Sequence, residues 1–400
     1  MSILYFFQMS PVLSFLIFAG IMLIIDLLIF LLLKKAFYHH KYWKTIFIIH
    51  ISVAALFLFF LFYFYFIYVS YLNAEKTANM FEFTAQLIPL YIFKLLFVLL
   101  SLGSLLIKKY RQIIICISFS VAFVLFLYLQ YGYWFGRFNY TLYEQSLSTT
   151  VPNQFKGLKI VQISDLHLGT VVHHDKKLAK MIALVNEQQP DLVFLTGDLV
   201  NFFAQEAYPF IGHFSKIKAR YGVFAINGNH DYGDYYRWHS EKDKELNLRL
   251  IDSFYLKTHI KLLSNANVFI EKNNEKIWVA GIENIGIPPF RSKGDVAKAM
   301  EGIPDSAFVL FLSHDPSIWD SSLKTIPRLA VTFSGHTHGF QFGKRNGKKP
   351  WSPLMWSNIH SWCGLYQYEN RYLYVNVGQS GSFFPARLGM WPEITVFTLN

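Results

Sequence analysis

Cysteine is scarce in this chain of 400 residues, which contains only Cys116 and Cys363. Two cysteines cannot supply the several cross-links of a disulfide scaffold or the four thiolates of an all-cysteine zinc site. Charged residues are also few, at 16% of the total, whereas 53% of the residues are hydrophobic. This composition excludes a disordered chain, because such chains lack the apolar surface that would offset the entropy of ordering.

Clustered positive charge is lacking in the second part of the chain, although the net charge is +11. Residues 1–149 contain ten Lys or Arg and four Asp or Glu, a balance of +6, and residues 150–400 contain 27 and 22, a balance of +5. Since no basic stripe accompanies the excess, we expect no nucleic-acid partner. Basic residues beside apolar runs are typical of attraction to anionic lipid headgroups.

Four long apolar runs fill the first third of the sequence. They cover about residues 11–33, 45–72, 87–107 and 113–135. A helix needs about 20 apolar residues to cross the hydrocarbon core of a membrane, and the first run lacks the features of a cleaved signal peptide. We therefore predict that residues 1–135 form a transmembrane region with four spans and have membrane lipids as partners.

The loops between the runs predict an orientation. Four lysines lie between the first two runs and three basic residues between the last two, whereas only Lys76 lies between the second and third. Because positive residues resist translocation, the basic loops are expected in the cytoplasm. The N-terminus and everything after residue 135 are then expected outside it, in a bacterial plasma or inner membrane. Asp26 and Lys94 fall within the runs, and positions facing the helix bundle or the membrane interface are favoured over a functional role.

After residue 135 the long apolar runs end, and shorter apolar runs alternate with polar stretches. Residues 136–157 are polar and aromatic, which predicts a linker, and residues 158–400 are predicted to form one further domain. Short apolar runs there predict buried strands at Leu158–Ser164, Leu192–Thr196, Val223–Ile226, Phe308–Leu312 and Leu329–Phe333. Amphipathic stretches at 175–188 and 243–258 predict helices. Strands alternating with helices indicate an α/β domain with its chemistry in the loops at the strand ends.

Short motifs rich in Asp and His follow all five predicted strands. They are Asp165-Leu166-His167, Gly197-Asp198, Gly228-Asn229-His230-Asp231, His314-Asp315 and Gly335-His336-Thr337-His338. On extended backbone, side chains at positions i and i+2 point the same way, so each Asp-x-His or His-x-His motif is expected to aim two donors at one cleft. The glycines before Asp198, Asn229 and His336 are expected to allow tight turns with positive φ.

These donor types point to divalent metal ions. Carboxylate, imidazole and amide oxygen without thiolate suit Mn, Fe, Co or Zn. The donors outnumber what one ion needs, and Asp198, with two carboxylate oxygens, is suited to bridge two ions. Such a pair would hold a hydroxide at neutral pH and neutralise charge on a phosphoryl group.

The order of these motifs resembles that of the calcineurin-like metallophosphoesterase superfamily. The local sequences around Asp165 and His336 resemble those of its membrane-associated YkuE/YaeI-type branch. The resemblance covers about residue 155 to the C-terminus. It implies a two-sheet β-sandwich flanked by helices, here preceded by the four-helix transmembrane region. It also implies a pair of divalent metal ions at one edge of the sandwich.

The resemblance assigns roles to individual residues. One metal would be held by Asp165, His167, Asp198 and His338, and the other by Asp198, Asn229, His314 and His336. His230 would be the catalytic histidine that protonates the leaving group, with Asp231 orienting its ring. Arg387 could clamp a substrate phosphate, and a structural ion pair is an equal alternative. For Asp315 and Glu283, capping or indirect roles are favoured over metal coordination.

The predicted function is hydrolysis of a phosphoester by a metal-activated hydroxide in a membrane-anchored phosphoric ester hydrolase. A phospholipid, a lipid-linked compound or a cell-envelope polymer is the expected phosphoester substrate, because anchoring holds the site near the bilayer. Two alternatives remain open at this stage. One is a pyrophosphohydrolase of the UDP-2,3-diacylglucosamine type, and the other is a non-catalytic membrane receptor or scaffold that kept the fold.

Overall fold

A computed structural model describes residues 11–69, 73–285, 292–345, 350–355, 360–381 and 384–400. The chain divides after residue 133 into two compact units. The first unit contains the apolar helices, and the second contains all strands of the described residues.

The first unit consists of helices. They are α1 (Pro11–Phe37), α2 (Trp43–Val69), α3 (Ala74–Ser101), α4 (Gly103–Leu106) and α5 (Arg111–Trp134). In the described part of the chain, four helical stretches are long and apolar enough to cross a membrane, which confirms the predicted four-helix region. The last three residues of the second predicted span, 70–72, lie outside the described residues.

The third helix begins well before the predicted apolar run at residue 87. It starts at Ala74, after Asn73, whose side chain accepts a hydrogen bond from the backbone N–H of Lys76. Such a cap satisfies one of the backbone donors that a helix start leaves unpaired. The predicted start is late because residues 74–86 mix polar and apolar side chains, and a search for hydropathy alone passes over them.

Two ionisable residues inside the helical unit form a pair. The Nζ of Lys94 lies 2.7 Å from Oδ1 of Asp26, and the two residues are only 4% and 6% exposed. Tyr91 donates its hydroxyl to Oδ2 of Asp26, and His50 lies 3.0 Å from the Asp26 carbonyl oxygen. Of the two predicted positions, facing the helix bundle or the membrane interface, the first is observed for both residues. Their pairing is expected, since a buried charge without a partner would be costly.

The second unit contains twelve strands among its described residues. The strands are β1 (Thr141–Leu147), β2 (Leu158–Ile163), β3 (Leu192–Thr196), β4 (Gly222–Ile226), β5 (Lys261–Leu262), β6 (Ala266–Lys272), β7 (Glu275–Gly281), β8 (Phe308–Leu312), β9 (Leu329–Ser334), β10 (Gly364–Tyr368), β11 (Arg371–Val375) and β12 (Glu393–Leu399). The helices are α6 (Asp175–Glu187), α7 (Ile211–Phe214), α8 (Glu241–Lys257), α9 (Val296–Ala299) and α10 (Ser317–Ser321). All five strands predicted beside the motifs are present, within a residue of their predicted bounds.

These strands form two six-stranded sheets that pack face to face. The first has the order β1-β12-β2-β3-β4-β5 and the second the order β10-β11-β9-β8-β7-β6. Phe194 of the first sheet and Phe333 of the second meet in the buried core between them. Met181 and Ile251, from α6 and α8, cover the outer face of the first sheet, and Trp319 of α10 covers the second. The predicted two-sheet sandwich flanked by helices is confirmed.

The prediction of a linker at residues 136–157 is wrong. Residues 141–147 form β1, which pairs in parallel with β12 along its whole length. The burial of β1 alternates between half-buried and exposed positions until Leu147, which is 1% exposed. An edge strand with one solvated face has no continuous apolar run, so the segment reads as polar in sequence.

The topology brings the motif-bearing strand ends together. Strands β2, β3 and β4 are parallel neighbours in the first sheet, and β8 and β9 are parallel neighbours in the second. Parallel neighbours end at the same edge of a sheet, and ligand sites of open α/β sheets lie outside that edge.

Candidate metal centre

Two groups of potential metal ligands lie at this edge of the sandwich. The first group is Asp165, His167, Asp198 and His338, and the second is Asp198, His314 and His336. Within each group the donor atoms lie within 4.8 Å of one another. These groups contain six of the seven predicted ligands. The seventh, Asn229, offers an amide oxygen and is described separately below.

Asp198 belongs to both groups, as predicted for a bridging carboxylate. Its Oδ2 lies 3.2 Å from Nε2 of His314 and 3.6 Å from Nε2 of His167. Its Oδ1 accepts a hydrogen bond from the backbone N–H of His230 at 2.9 Å, which holds the carboxylate in place. One carboxylate thus faces imidazoles from both sheets.

Asn229 supplies the only predicted amide ligand. The residue is 3% exposed, and in the described part of the chain its Oδ1 has no hydrogen-bond partner, whereas Nδ2 donates to the hydroxyl of Tyr235 at 2.7 Å. A buried acceptor without a donor costs about 1–3 kcal/mol. A cation would satisfy this oxygen, so the residue fits a metal site.

Backbone carbonyl oxygens orient two of the imidazoles that are predicted to bind metal. The Nδ1 atom of His314 lies 2.7 Å from the carbonyl oxygen of Thr196, and that of His338 lies 2.8 Å from the carbonyl oxygen of Ser380. A carbonyl oxygen only accepts, so each Nδ1 must donate its proton. In a neutral imidazole this leaves the lone pair on Nε2, the atom that each ring turns toward the carboxylates, as a metal ligand requires.

Burial keeps most of the imidazoles in the neutral form that binds metal ions. It lowers the pKa of His167 well below its usual value, lowers that of His336, and lowers that of His338 to about 4. Burial acts on His314 in the same direction, but the carboxylate of Asp198 outweighs it and raises the pKa of His314 to about 10.

The same contacts keep the carboxylate of Asp198 ionised. Burial would raise the pKa of Asp198, but the imidazoles around it, with His314 first, hold that pKa well below its usual range. The centre therefore stabilises positive charge beside Asp198, which together with the donor set fits divalent cations.

The local backbone at the centre differs from the prediction. Asp165, His167, Asp198, His336 and His338 have positive φ values of 50°, 42°, 54°, 74° and 53°. Neither the Asp-x-His nor the His-x-His motif is extended, so the extended backbone assumed from the i and i+2 spacing is wrong. The expected outcome is nevertheless observed, because both donors of each motif belong to the two groups that share Asp198. Left-handed backbone costs a non-glycine residue about 1–2 kcal/mol, and such strain concentrates at functional sites.

The glycines of the motifs also act differently from the prediction. Of the three glycines expected to have positive φ, Gly197, Gly228 and Gly335, only Gly197 has it, at 95°. Gly228 and Gly335 are required for close approach, because a Cβ on Gly228 would overlap the carboxylate of Asp198 and one on Gly335 would overlap that of Asp165. Positive φ is found instead at His336, which follows Gly335, whereas Asn229, which follows Gly228, has a φ of −67°.

His230 lies beside the two groups, and its ring is held differently from the prediction. Its Nδ1 is 2.8 Å from the carbonyl oxygen of Asn201, so this nitrogen donates and Nε2 is left to exchange a proton. Asp231 does not orient the ring: its carboxylate accepts hydrogen bonds from the backbone N–H groups of Gly228 and Val200. That part of the prediction is corrected, and Asp231 instead stabilises the loop that carries Asn229 and His230.

Arg387 does not clamp a substrate phosphate. The residue is 0% exposed, and its guanidinium donates to the backbone carbonyl oxygens of Val377, Ser380, Met390 and His338. The predicted substrate contact is wrong, and the partners are carbonyl groups rather than the carboxylate of an ion pair. The carbonyl oxygen of Ser380 also accepts a hydrogen bond from Nδ1 of His338. Arg387 therefore supports the loop that orients this imidazole.

Asp315 and Glu283 take the indirect roles expected of them. Asp315 accepts the backbone N–H of Ser317 at the start of α10, with Oδ2 3.8 Å from Nε2 of His336. Glu283 accepts from Nδ2 of Asn265.

Sequence reasoning missed Tyr235 and the orienting carbonyl oxygens. A backbone carbonyl carries no residue signal, so no motif could have revealed those of Thr196, Asn201 and Ser380. Tyr235 lies six positions after Asn229, and only its contacts with Asn229 and His230 distinguish it from other tyrosines.

Comparisons with known proteins identify the family of the second unit. The sequence profile of the family described as calcineurin-like phosphoesterase matches residues 158–340. A Danio rerio protein described as "Transmembrane protein with metallophosphoesterase domain" is 30% identical over 255 residues, which cover 62% of this chain and 55% of the relative. The chain thus spans about half the length of that relative. The "Uncharacterized metallophosphoesterase YkuE" of Bacillus subtilis is 30% identical over 261 residues, which cover 63% of this chain and 82% of the relative.

Among solved structures, the NAD nucleotidase of Haemophilus influenzae matches 56% of this chain and 45% of its own, at 15% identity and a TM-score of 0.34. The sandwich and its cluster of carboxylate and imidazole donors define a metallophosphoesterase domain. The chain belongs to the calcineurin-like phosphoesterase family.

Proposed function

We propose that this protein is a membrane-anchored phosphoester hydrolase that depends on two divalent metal ions. The observation that carries the proposal is the sharing of Asp198 by two groups of potential ligands. Asp165, His167 and His338 complete the first group, and His314, His336 and Asn229 complete the second. Mn, Fe, Zn and Co all fit these donors.

Bound metal ions would supply a water of lowered pKa and neutralise charge on the phosphoryl group. The chain's own contribution begins with His230. Its Nδ1 is held by the Asn201 carbonyl oxygen, so Nε2 is the atom that gives a proton to the leaving oxygen. A general acid in this position contributes about 100- to 10,000-fold to the rate.

The four apolar helices support a substrate at the membrane surface. A site tethered to the bilayer meets phospholipids, lipid-linked compounds and envelope polymers at high local concentration. The basic loops at residues 34–44 and 108–111 support an orientation with the N-terminus and the hydrolase domain outside the cytoplasm of a bacterium.

Hydrolysis of bis-p-nitrophenyl phosphate by the full-length chain in detergent tests the proposal. Activity is expected with Mn²⁺ and not in the presence of a chelator, and Asp198→Asn should lower kcat by at least 100-fold because it weakens both ligand groups. Asp191→Asn is a matched control, since Asp191 caps the start of β2 away from the centre. Equal inactivity of wild type and Asp198→Asn with every metal and with lipid phosphoesters would contradict the proposal.

The orientation needs a separate measurement. A reporter that is active only after export is expected to be active when fused after Asn400, because this residue follows β12 and is exposed. A fusion within residues 141–147 would interrupt β1 and is unsuitable. Fluorescence of a reporter that folds only in the cytoplasm would contradict the proposed orientation.

A further inference from the structure

Tyr235 contacts both Asn229 and His230. It is half-buried in the loop that follows them. Its hydroxyl oxygen lies 2.7 Å from Nδ2 of Asn229, and its ring stacks on the imidazole of His230 with centroids 4.2 Å apart and planes 21° apart. No motif of the sequence includes this tyrosine.

The contact with Asn229 gives the amide NH2 group a hydrogen-bond partner while Oδ1 stays available to a metal ion. A carboxamide has one acceptor oxygen and an NH2 group with donors only. A half-turn of the side chain exchanges the two, and the NH2 group cannot coordinate a cation. Because the tyrosine hydroxyl accepts from Nδ2, Oδ1 is the atom left without a protein partner among the described residues.

The contact with His230 restricts the imidazole ring. Tyr235 covers one face of that ring, and the His167 ring meets it edge-on with centroids 4.8 Å apart. The carbonyl oxygen of Asn201 accepts a hydrogen bond from Nδ1. A stacked aromatic pair contributes a modest preference for one orientation. Rotation of the imidazole would break both the stacking and the hydrogen bond.

We propose that Tyr235 is a positioning residue that couples the second metal ion to the proton donor. Its hydroxyl keeps Oδ1 of Asn229 available as a ligand of the second group, and its ring holds His230 in the orientation that leaves Nε2 available. This inference rests on the proposed function, because it assigns a role within the same centre.

Two substitutions separate the two contacts. Tyr235→Phe removes the hydroxyl and keeps the ring, whereas Tyr235→Leu removes both. Tyr221→Phe is the matched control, since it deletes the hydroxyl of another half-buried tyrosine that packs against the core between the sheets. Each full-length variant is titrated with Mn²⁺ and followed by electron paramagnetic resonance, which distinguishes a single ion from a coupled pair.

Tyr235→Phe is expected to weaken binding of the second Mn²⁺ by about 10- to 100-fold, the usual effect of losing a partner that orients a metal ligand, with the first ion unaffected. Tyr235→Leu is expected to show the same loss and also a lower kcat at saturating Mn²⁺, with KM little changed. Tyr221→Phe should match the wild type in both measurements.

A Tyr235→Phe protein that forms the coupled Mn²⁺ pair with wild-type affinity would overturn the proposal, as would equal weakening of both ions. The metal titration does not depend on turnover. If the wild type binds two ions but hydrolyses no phosphoester, the proposed function fails while the effect of Tyr235→Phe on the second ion still supports the positioning role.

Discussion

Gly378 lies against a predicted metal ligand, and its replacement by alanine tests how tightly the centre is packed. The glycine has φ +76°, and a Cβ at this position would lie 2.6 Å from the Cβ of Asp165. Asp165 is 0% exposed, and its carboxylate accepts the backbone N–H of His336. The added methyl group therefore has to displace a ligand that also anchors a second one.

The magnitude follows from two separate costs. Left-handed backbone costs alanine about 1–2 kcal/mol, and the overlap adds about 1–3 kcal/mol for overpacking a buried site. Ordinary contact begins at 3.4 Å, so the Cβ of Asp165 must retreat by about 0.8 Å. Metal–ligand distances tolerate only about 0.2 Å, and we expect metal affinity to fall by at least tenfold.

Gly302→Ala isolates the first cost. Gly302 has φ +75°, and a Cβ there would meet no atom within 4 Å. Both variants should show a lower melting temperature, but only Gly378→Ala should lose Mn²⁺ affinity in a chelator competition. The reasoning is refuted if Gly378→Ala binds Mn²⁺ like the wild type, or if Gly302→Ala loses as much affinity.

Three further perturbations test the remaining structural assignments. Arg387→Met should lower the melting temperature strongly, because each buried carbonyl left without a donor costs about 1–3 kcal/mol; a stable variant with a raised KM would instead indicate a substrate clamp. Asp26→Asn should reduce the yield of folded protein in size-exclusion chromatography, because Lys94 loses its carboxylate partner and such losses cost about 3–5 kcal/mol. The double variant with Lys94→Gln should restore the yield. If it does not, the ion pair is not the cause of the loss. Deletion of residues 136–149 should cause aggregation, since it removes β1 and leaves β12 as an unpaired edge, and a soluble, active product would contradict this.

The fold could be predicted where its signals are local. Short buried runs such as 192–196 and 308–312 predicted β3 and β8 at their observed bounds. Fully buried strands leave continuous apolar runs in the sequence. Strand β1 left no such run, because one of its faces is solvated, and its role in the sheet depends on β12, which lies about 250 residues further along the chain.

The hydrogen-bond partners of individual polar side chains could not be predicted. Asp231 and Arg387 are residue types that suit catalysis and phosphate binding, yet both are occupied by backbone groups. Any buried loop offers carbonyl and N–H groups that need partners. Whether a charged side chain meets those groups or the substrate depends on loop geometry that no motif records.

The sequence by itself determined the chemistry available to this protein. Apolar runs of sufficient length, and the carboxylate, imidazole and amide donors that follow five strands, are properties of residue type and spacing. The tertiary structure alone decided that Asp198 lies between two groups of donors, that Oδ1 of Asn229 is left available by Tyr235, and that backbone carbonyl oxygens orient the imidazoles. These relations join atoms from different strands and loops, and their distances exist only after both sheets have packed.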